Sequence, residues 1–275
     1  MSDNSEFQLK RLPRFKPRSG IEVMYASIRA LFLRELQTRF GHYRIGYVWA
    51  LIEPALNVIF LLVAFGALAE RTLPGIDYTV FLINGILPFY AFMRSSTKAI
   101  GAVQSNQGLL SYRSVKPFDT VLSRTILETL LYFICYILLS LAVIWFGVKI
   151  SFSYIPQLLF YWFILFLFNI GFACIMMVIG ELSEEVGKFI SAIFILVYFM
   201  SGAMIPLHIV PEQYLIYFLW NPVAHILELM RHAVAPSYQL LNGASLSYVI
   251  VSTIIILFLG LALNQVFNRY MVKTK

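Results

Sequence analysis

Unbroken apolar runs of roughly 18 to 24 residues recur along the chain, the length that crosses a bilayer as a helix. Such runs do not alternate between two faces, so a β-barrel is excluded. Of the 275 residues, 60% are hydrophobic and only 13% charged, too little polar surface for a soluble domain of this size. The sequence therefore reads as an all-α polytopic membrane protein with six transmembrane helices. Their limits are about 48–69, 79–98, 123–146, 157–180, 189–206 and 248–267.

The formal charge of +7 raises the question of nucleic acid, and its distribution answers it. If the N-terminus is cytosolic, eighteen of the 21 Lys and Arg residues fall in cytosolic segments. Arg71, Lys149 and Arg231 fall on the other side. This bias places both termini in the cytosol, and no nucleic-acid partner is needed to explain the charge. The first 20 residues have no apolar core of the signal-peptide kind, so the first span is expected to direct insertion. Residues 1–47 then form a cytosolic segment, 48–268 the membrane domain and 269–275 a cytosolic tail. Cys135 and Cys174 lie inside apolar runs without metal-type spacing and read as small buried hydrophobes.

Three connecting regions are too patterned to be plain loops. In residues 21–40, Ile21, Met24, Tyr25, Ile28, Leu31, Phe32 and Leu36 share one helical face, the pattern of an amphipathic helix. It suits the membrane interface, or a cytosolic helix packed on a partner. Glu35 and Arg39, four apart near its end, are expected to pair. Residues 104–119 (QSNQGLLSYRSVKPFD) hold a Leu-Leu pair amid polar residues, which reads either as a solvated loop or as an exposed docking segment. Residues 206–235 are apolar but divided by Pro206, Pro211 and Pro222. Two half-length helices, about 211–220 and 222–233, are expected to re-enter the outer leaflet between spans five and six, or to lie flat as a surface cap.

Catalytic signatures are absent: GxSxG, HExxH and paired-Asp metal motifs do not occur. The stretch GELSEEVGKF at 180–189 has glycines seven apart and Phe after its Lys, which rules out a phosphate loop. The acidic group Glu181, Glu184 and Glu185 lacks the His or Asp company of a metal-dependent transferase. Glu53, Arg94, Lys98, Arg124, Glu128 and Glu181 all lie toward the cytosolic ends of their spans. Ion-coupled carriers keep carboxylates at mid-depth, so a secondary transporter is disfavoured and the energy source is expected on another chain.

Three stretches carry a family resemblance: RELQTRFGHYRIGYVWALIEP at 34–54, LLSYRSVKPFD at 109–119, and SGAMIPLHIVPEQYLIYFLWNPVAHILELMR at 201–231. With the six spans, they make the chain similar to the membrane subunit of ABC-2-type exporters, particularly capsular polysaccharide export permeases. One departure is Ile205 before Pro206, where such permeases often carry an aromatic residue. The resemblance implies a multi-pass protein of the bacterial inner membrane, acting as a homodimer bound to two ATPase subunits. ATP and magnesium would sit on those subunits, with no cofactor in this chain. The cargo would be a lipid-linked, usually acidic polysaccharide handed to periplasmic and outer-membrane proteins. O-antigen or teichoic-acid-type polymers are the related alternative.

The resemblance also implies roles for residues. Asn106, Gln107, Leu109, Leu110, Tyr112, Arg113, Lys116 and Pro117 would receive the ATPase stroke. Arg39, Arg44, Trp49, Glu53, Arg94 and Lys98 would form the substrate entrance, where cations attract a polyanion or, alternatively, reflect topology and lipid contact. Tyr90, Phe92, Tyr198 and Phe199 would line the sugar path. Pro211, Tyr214, Trp220, Asn221, Pro222, His225, Glu228 and Arg231 would form the extracytosolic gate. At the first doorway, Gly41 and Gly46 permit a bend, Pro54 falls in the first turns of a helix, and Glu53 is expected to join Arg39 or Arg44.

Overall fold

The computed structural model describes residues 19–40, 46–69, 75–110, 112, 115–151 and 153–273, and every regular element among them is helical. In chain order these are α1 (Gly20–Phe40), α2 (Gly46–Ala69), α3 (Tyr78–Ile100), the single-turn α4 (Gln107–Leu110), α5 (Pro117–Trp145) and α6 (Ile155–Leu182). Then follow α7 (Glu184–Met200), α8 (Glu212–Phe218), α9 (Pro222–Val234) and α10 (Leu246–Lys273). Short 3-10 turns occupy Gln104–Asn106 and Leu207–Ile209. Among the described residues, α5, α6 and the Leu246–Asn268 part of α10 are long and apolar enough to cross a membrane. The other expected spans fall on α2, α3 and α7.

Helix ends follow local chemistry. Asp77 caps α3, its carboxylate accepting from Thr79 N at 2.8 Å. The start of α5 lies six residues before the expected 123, because Pro117 occupies the first turn and Asp119 accepts from Lys116 N at 2.9 Å. Similarly, α7 starts at Glu184, with Ser183 Oγ accepting from Val186 N at 3.4 Å. It stops at Met200, short of the expected 206, because Gly202 takes φ +66° and turns the chain away. Pro54 lies in the third turn of α2, since the helix already begins at Gly46.

The core is built around α3, which packs against α5, α6, α9, α2 and α7. Phe81, Leu82, Ile86, Leu87 and Phe89 are fully buried along it. Phe92 meets Phe168, Phe172 and Phe194 at centroid distances of 5.5, 5.0 and 5.5 Å. Helices α6 and α10 approach at Gly171 and Gly260, where a methyl group on either residue would overlap the opposite backbone. At one end of the bundle, Ser151 N donates to Val234 O and Ser237 Oγ to Gly75 O. The loops before α3 and α6 therefore share that end with the end of α9. The opposite end gathers α1, the 104–110 segment and the start of α5.

Candidate functional site

At that opposite end a set of charged residues, joined by Tyr132, falls on three helices at four-residue spacing. These are Glu35 and Arg39 on α1, Arg94 and Lys98 on α3, and Arg124, Glu128 and Tyr132 on α5. The spacing aligns each set along one face, and the faces converge. Glu128, 3% exposed, is the hub: Arg39 Nη1 and Lys98 Nζ approach its Oε1 at 2.5 and 2.8 Å. Arg124 Nε donates to Glu35 Oε2 at 3.3 Å, Nη1 to Lys98 O at 2.8 Å and Nη2 to Ser105 Oγ at 2.7 Å. Glu35 and Arg39 thus engage α5 instead of each other, because α1 packs on α5 and both side chains reach across to Arg124 and Glu128. Most of the expected apolar stripe's outer part stays uncovered, with Ile21, Met24 and Tyr25 exposed.

The entrance residues separate into two kinds. Arg39 and Lys98 are tied to a buried carboxylate. By contrast, Arg94 Nη2 pairs with Glu53 Oε1 at 2.6 Å, and both side chains keep substantial solvent contact. Glu53 was expected beside Arg39 or Arg44; it reaches Arg94 because α2 and α3 run antiparallel with residues 53 and 94 level. One turn deeper, the Asn57 amide donates to the Tyr90 hydroxyl. Trp49, one turn before Glu53, is exposed. Arg44 and Arg113 lie outside the described residues.

The segment expected to couple to the ATPase is only partly a free surface. Asn106 is buried, donating to Ala102 O and accepting from Arg34 Nη1, both at 2.8 Å. Leu110 is buried among Ala99, Ala102, Val103 and Val121, and Leu109 is half-buried, so the Leu-Leu pair is not exposed as expected. It folds inward because the α4 turn lays its apolar side on α3, α5 and α6. Pro117 is buried at the start of α5, while Gln107, Tyr112 and Lys116 remain exposed.

Of the expected path aromatics, Phe92 lies in the core cluster and lines no surface. Tyr90 is half-buried between Tyr132 and Tyr198, at centroid distances of 6.1 and 6.0 Å. Phe199 is exposed beside Tyr198.

At the far end, α8 and α9 match the two expected short helices. Asn221 caps α9, accepting from Val223 N at 3.0 Å and donating to Ser201 Oγ at 2.7 Å, with Pro222 in the first turn. Pro211, Tyr214 and Trp220 face outward, whereas His225, Glu228 and Arg231 are buried. Arg231 donates to Glu228 Oε1 and Gly202 O, both at 2.7 Å, and lies 3.5 Å over the Phe81 ring. Glu228 also accepts from the Tyr238 hydroxyl at 3.0 Å. His225 Nε2 donates to Leu219 O at 2.7 Å while Nδ1 accepts from Ser245 N at 3.0 Å, which defines a neutral ring. These three residues lock α9 to the ends of α3 and α7 and to the loop before α10.

Sequence reasoning missed Glu128 as a hub and Arg34, Arg124, Tyr132 and Tyr238 as partners. The spacing of Arg124, Glu128 and Tyr132 was a usable signal on one helix; the facing helices were not readable. Among the described residues no three His, Cys, Asp or Glu side chains gather as a metal site.

The profile of the family described as ABC-2 type transporter matches residues 26–234. The chain is 45% identical over 248 residues to the polysialic acid transport protein KpsM of Escherichia coli, covering 90% of this chain and 96% of the relative. It is 28% identical over 256 residues to the capsule polysaccharide export inner-membrane protein BexB of Haemophilus influenzae, covering 92% and 95%. With the O-antigen export system permease protein RfbA of Klebsiella pneumoniae the identity is 22% over 241 residues, covering 86% and 88%.

Proposed function

The chain belongs to the ABC-2 type transporter family, and on that premise we propose that it is the permease subunit of an ATP-driven capsular polysaccharide exporter in the bacterial inner membrane. The observation that carries the reading is 45% identity, along nearly the whole chain, to a relative named for polysialic acid transport. The much lower identity to an O-antigen permease favours capsule over O-antigen cargo.

In this reading α2, α3, α5, α6, α7 and α10 make six crossings with both termini cytosolic. Two copies of the chain enclose the path, and two ATPase subunits bind ATP and magnesium and push on the surface that carries Gln107, Tyr112 and Lys116. The cargo is a lipid-linked acidic polymer, admitted beside Arg94 and passed outward under α8 and α9 to envelope partners. Supporting it are the exposed Gln107, Tyr112 and Lys116 on the coupling side and the exposed Glu53–Arg94 pair at the mouth.

The test is co-purification of the chain with the product of a neighbouring Walker-A reading frame, together with deletion of this gene. A stable complex with ATPase activity and loss of surface polysaccharide are expected. Absence of a complex, with surface polysaccharide intact in the deletion strain, would overturn the reading.

A further inference from the structure

Arg94 differs from the other cations at the mouth. Arg39 and Lys98 converge on Glu128, which is 3% exposed, so losing either cation strips charge compensation from a carboxylate that water scarcely reaches. Arg124 is spent on Glu35, a backbone carbonyl and Ser105. Arg94 has one carboxylate partner, Glu53, whose side chain is 55% exposed, and its own side chain is 38% exposed. Glu53 can therefore leave the guanidinium for water at little cost. The Arg94 Nε–H is buried and has no acceptor. A guanidinium offers a planar fork suited to two oxygens of one phosphate or carboxylate, and here that fork is incompletely used.

Resting on the export reading above, we propose that Glu53 is an internal stand-in anion, and that an anionic group of the cargo, phosphate or carboxylate, displaces it from Arg94. Glu53 belongs to α2 and Arg94 to α3, so the exchange opens the upper rung between these helices while the Asn57–Tyr90 rung remains. Arg94 then stays neutralised when no cargo is bound, and the upper rung separates only for an anion that outcompetes Glu53. That makes the pair a selectivity element: a neutral amphiphile of equal size cannot replace the carboxylate.

The experiment uses the permease–ATPase complex in phosphatidylcholine nanodiscs and reads the ratio of stimulated to basal ATPase activity. One probe is phosphatidic acid in the bilayer, and the other is soluble oligogalacturonate. With Glu53→Gln, the half-maximal probe concentration is expected to fall roughly two- to fivefold, as loss of an exposed competing ion pair allows. Arg94→Gln is expected to lose the stimulation. The exchanged pair E53R/R94E separates ligand binding from scaffolding: it restores a salt bridge between α2 and α3, yet is expected to stay unresponsive. Stimulation by phosphatidic acid alone assigns the site to a lipid phosphate, and by oligogalacturonate alone to a polymer carboxylate. An unchanged or higher half-maximum in Glu53→Gln, a normal response in the exchanged pair, or no response of the wild type to either probe overturns the proposal. A wild-type complex that supports export but shows one of those results sinks this inference alone; loss of the complex itself sinks the export reading.

Discussion

Three ion pairs of similar geometry are expected to differ widely in what they contribute, because their burial differs. Glu228→Gln leaves Arg231, fully buried over Phe81, without its counter-charge, and replaces one of the two carboxylate oxygens that Tyr238 and Arg231 share with an NH2 donor. It is expected to cost about 3–5 kcal/mol, the penalty of an uncompensated buried charge. Glu53→Gln breaks an exposed pair and is expected to cost at most about 1 kcal/mol. Glu128→Gln should fall between, since Arg39 and Lys98 retain 23% and 29% exposure through which water can reach them. Thermal unfolding in one detergent should rank the three midpoints in that order, and equal shifts would refute it. At this scale the sequence was partly legible. It announced charged residues near the ends of the spans, but the partners expected for Glu35 and Glu53 differ from Arg124 and Arg94, which the structure gives them. Glu35–Arg39 is available within one helix, and the structure instead uses both residues across helices, where burial strengthens each contact.

Helices were easier to foresee than their ends. Each long apolar run became a helix, because no other structure satisfies so many backbone groups without water. The ends were set by signals lying outside the apolar runs. Pro117 and Asp119 open α5, yet they sit in a stretch whose polarity reads as a loop. Removing the carboxylate with Asp119→Ala is expected to fray the first turn of α5 and cost about 1 kcal/mol. Hydrogen exchange confined to the first turns of α5 would register it, and unchanged protection there would count against the capping role. Close packing of α6 on α10 was invisible, because Gly171 and Gly260 look alike whether they touch or not. Gly260→Val places two methyl groups against the Gly171 backbone and is expected to drive α10 off α6. Disulfide trapping between cysteines introduced on the two helices should then fail, and trapping equal to the native protein would refute the contact.

The whole molecule joins two ends of different character. One end is tied by the Glu128 network around α1, the 104–106 turn and α5; at the other, the buried Glu228–Arg231 pair of α9 is anchored to Gly202 after α7. Helical membrane class and family were legible in the apolar runs and in the stretches 34–54, 109–119 and 201–231, but the route between the ends was not, since it depends on which helix faces meet. Charge reversal at Arg113 and Lys116 is expected to leave ATP hydrolysis running while export falls at least tenfold. Parallel assays of hydrolysis and polymer export would check this, and coupled loss of both would point to assembly instead. The glycine contact has one more consequence, in the order of synthesis. The α6 surface around Gly171 leaves the ribosome while α10, which begins at Leu246, is still unmade. For that interval a membrane-embedded insertion factor or a lipid must chaperone the naked stripe, so a nascent chain stalled before Leu246 should crosslink at position 171 to a foreign molecule that the finished chain excludes.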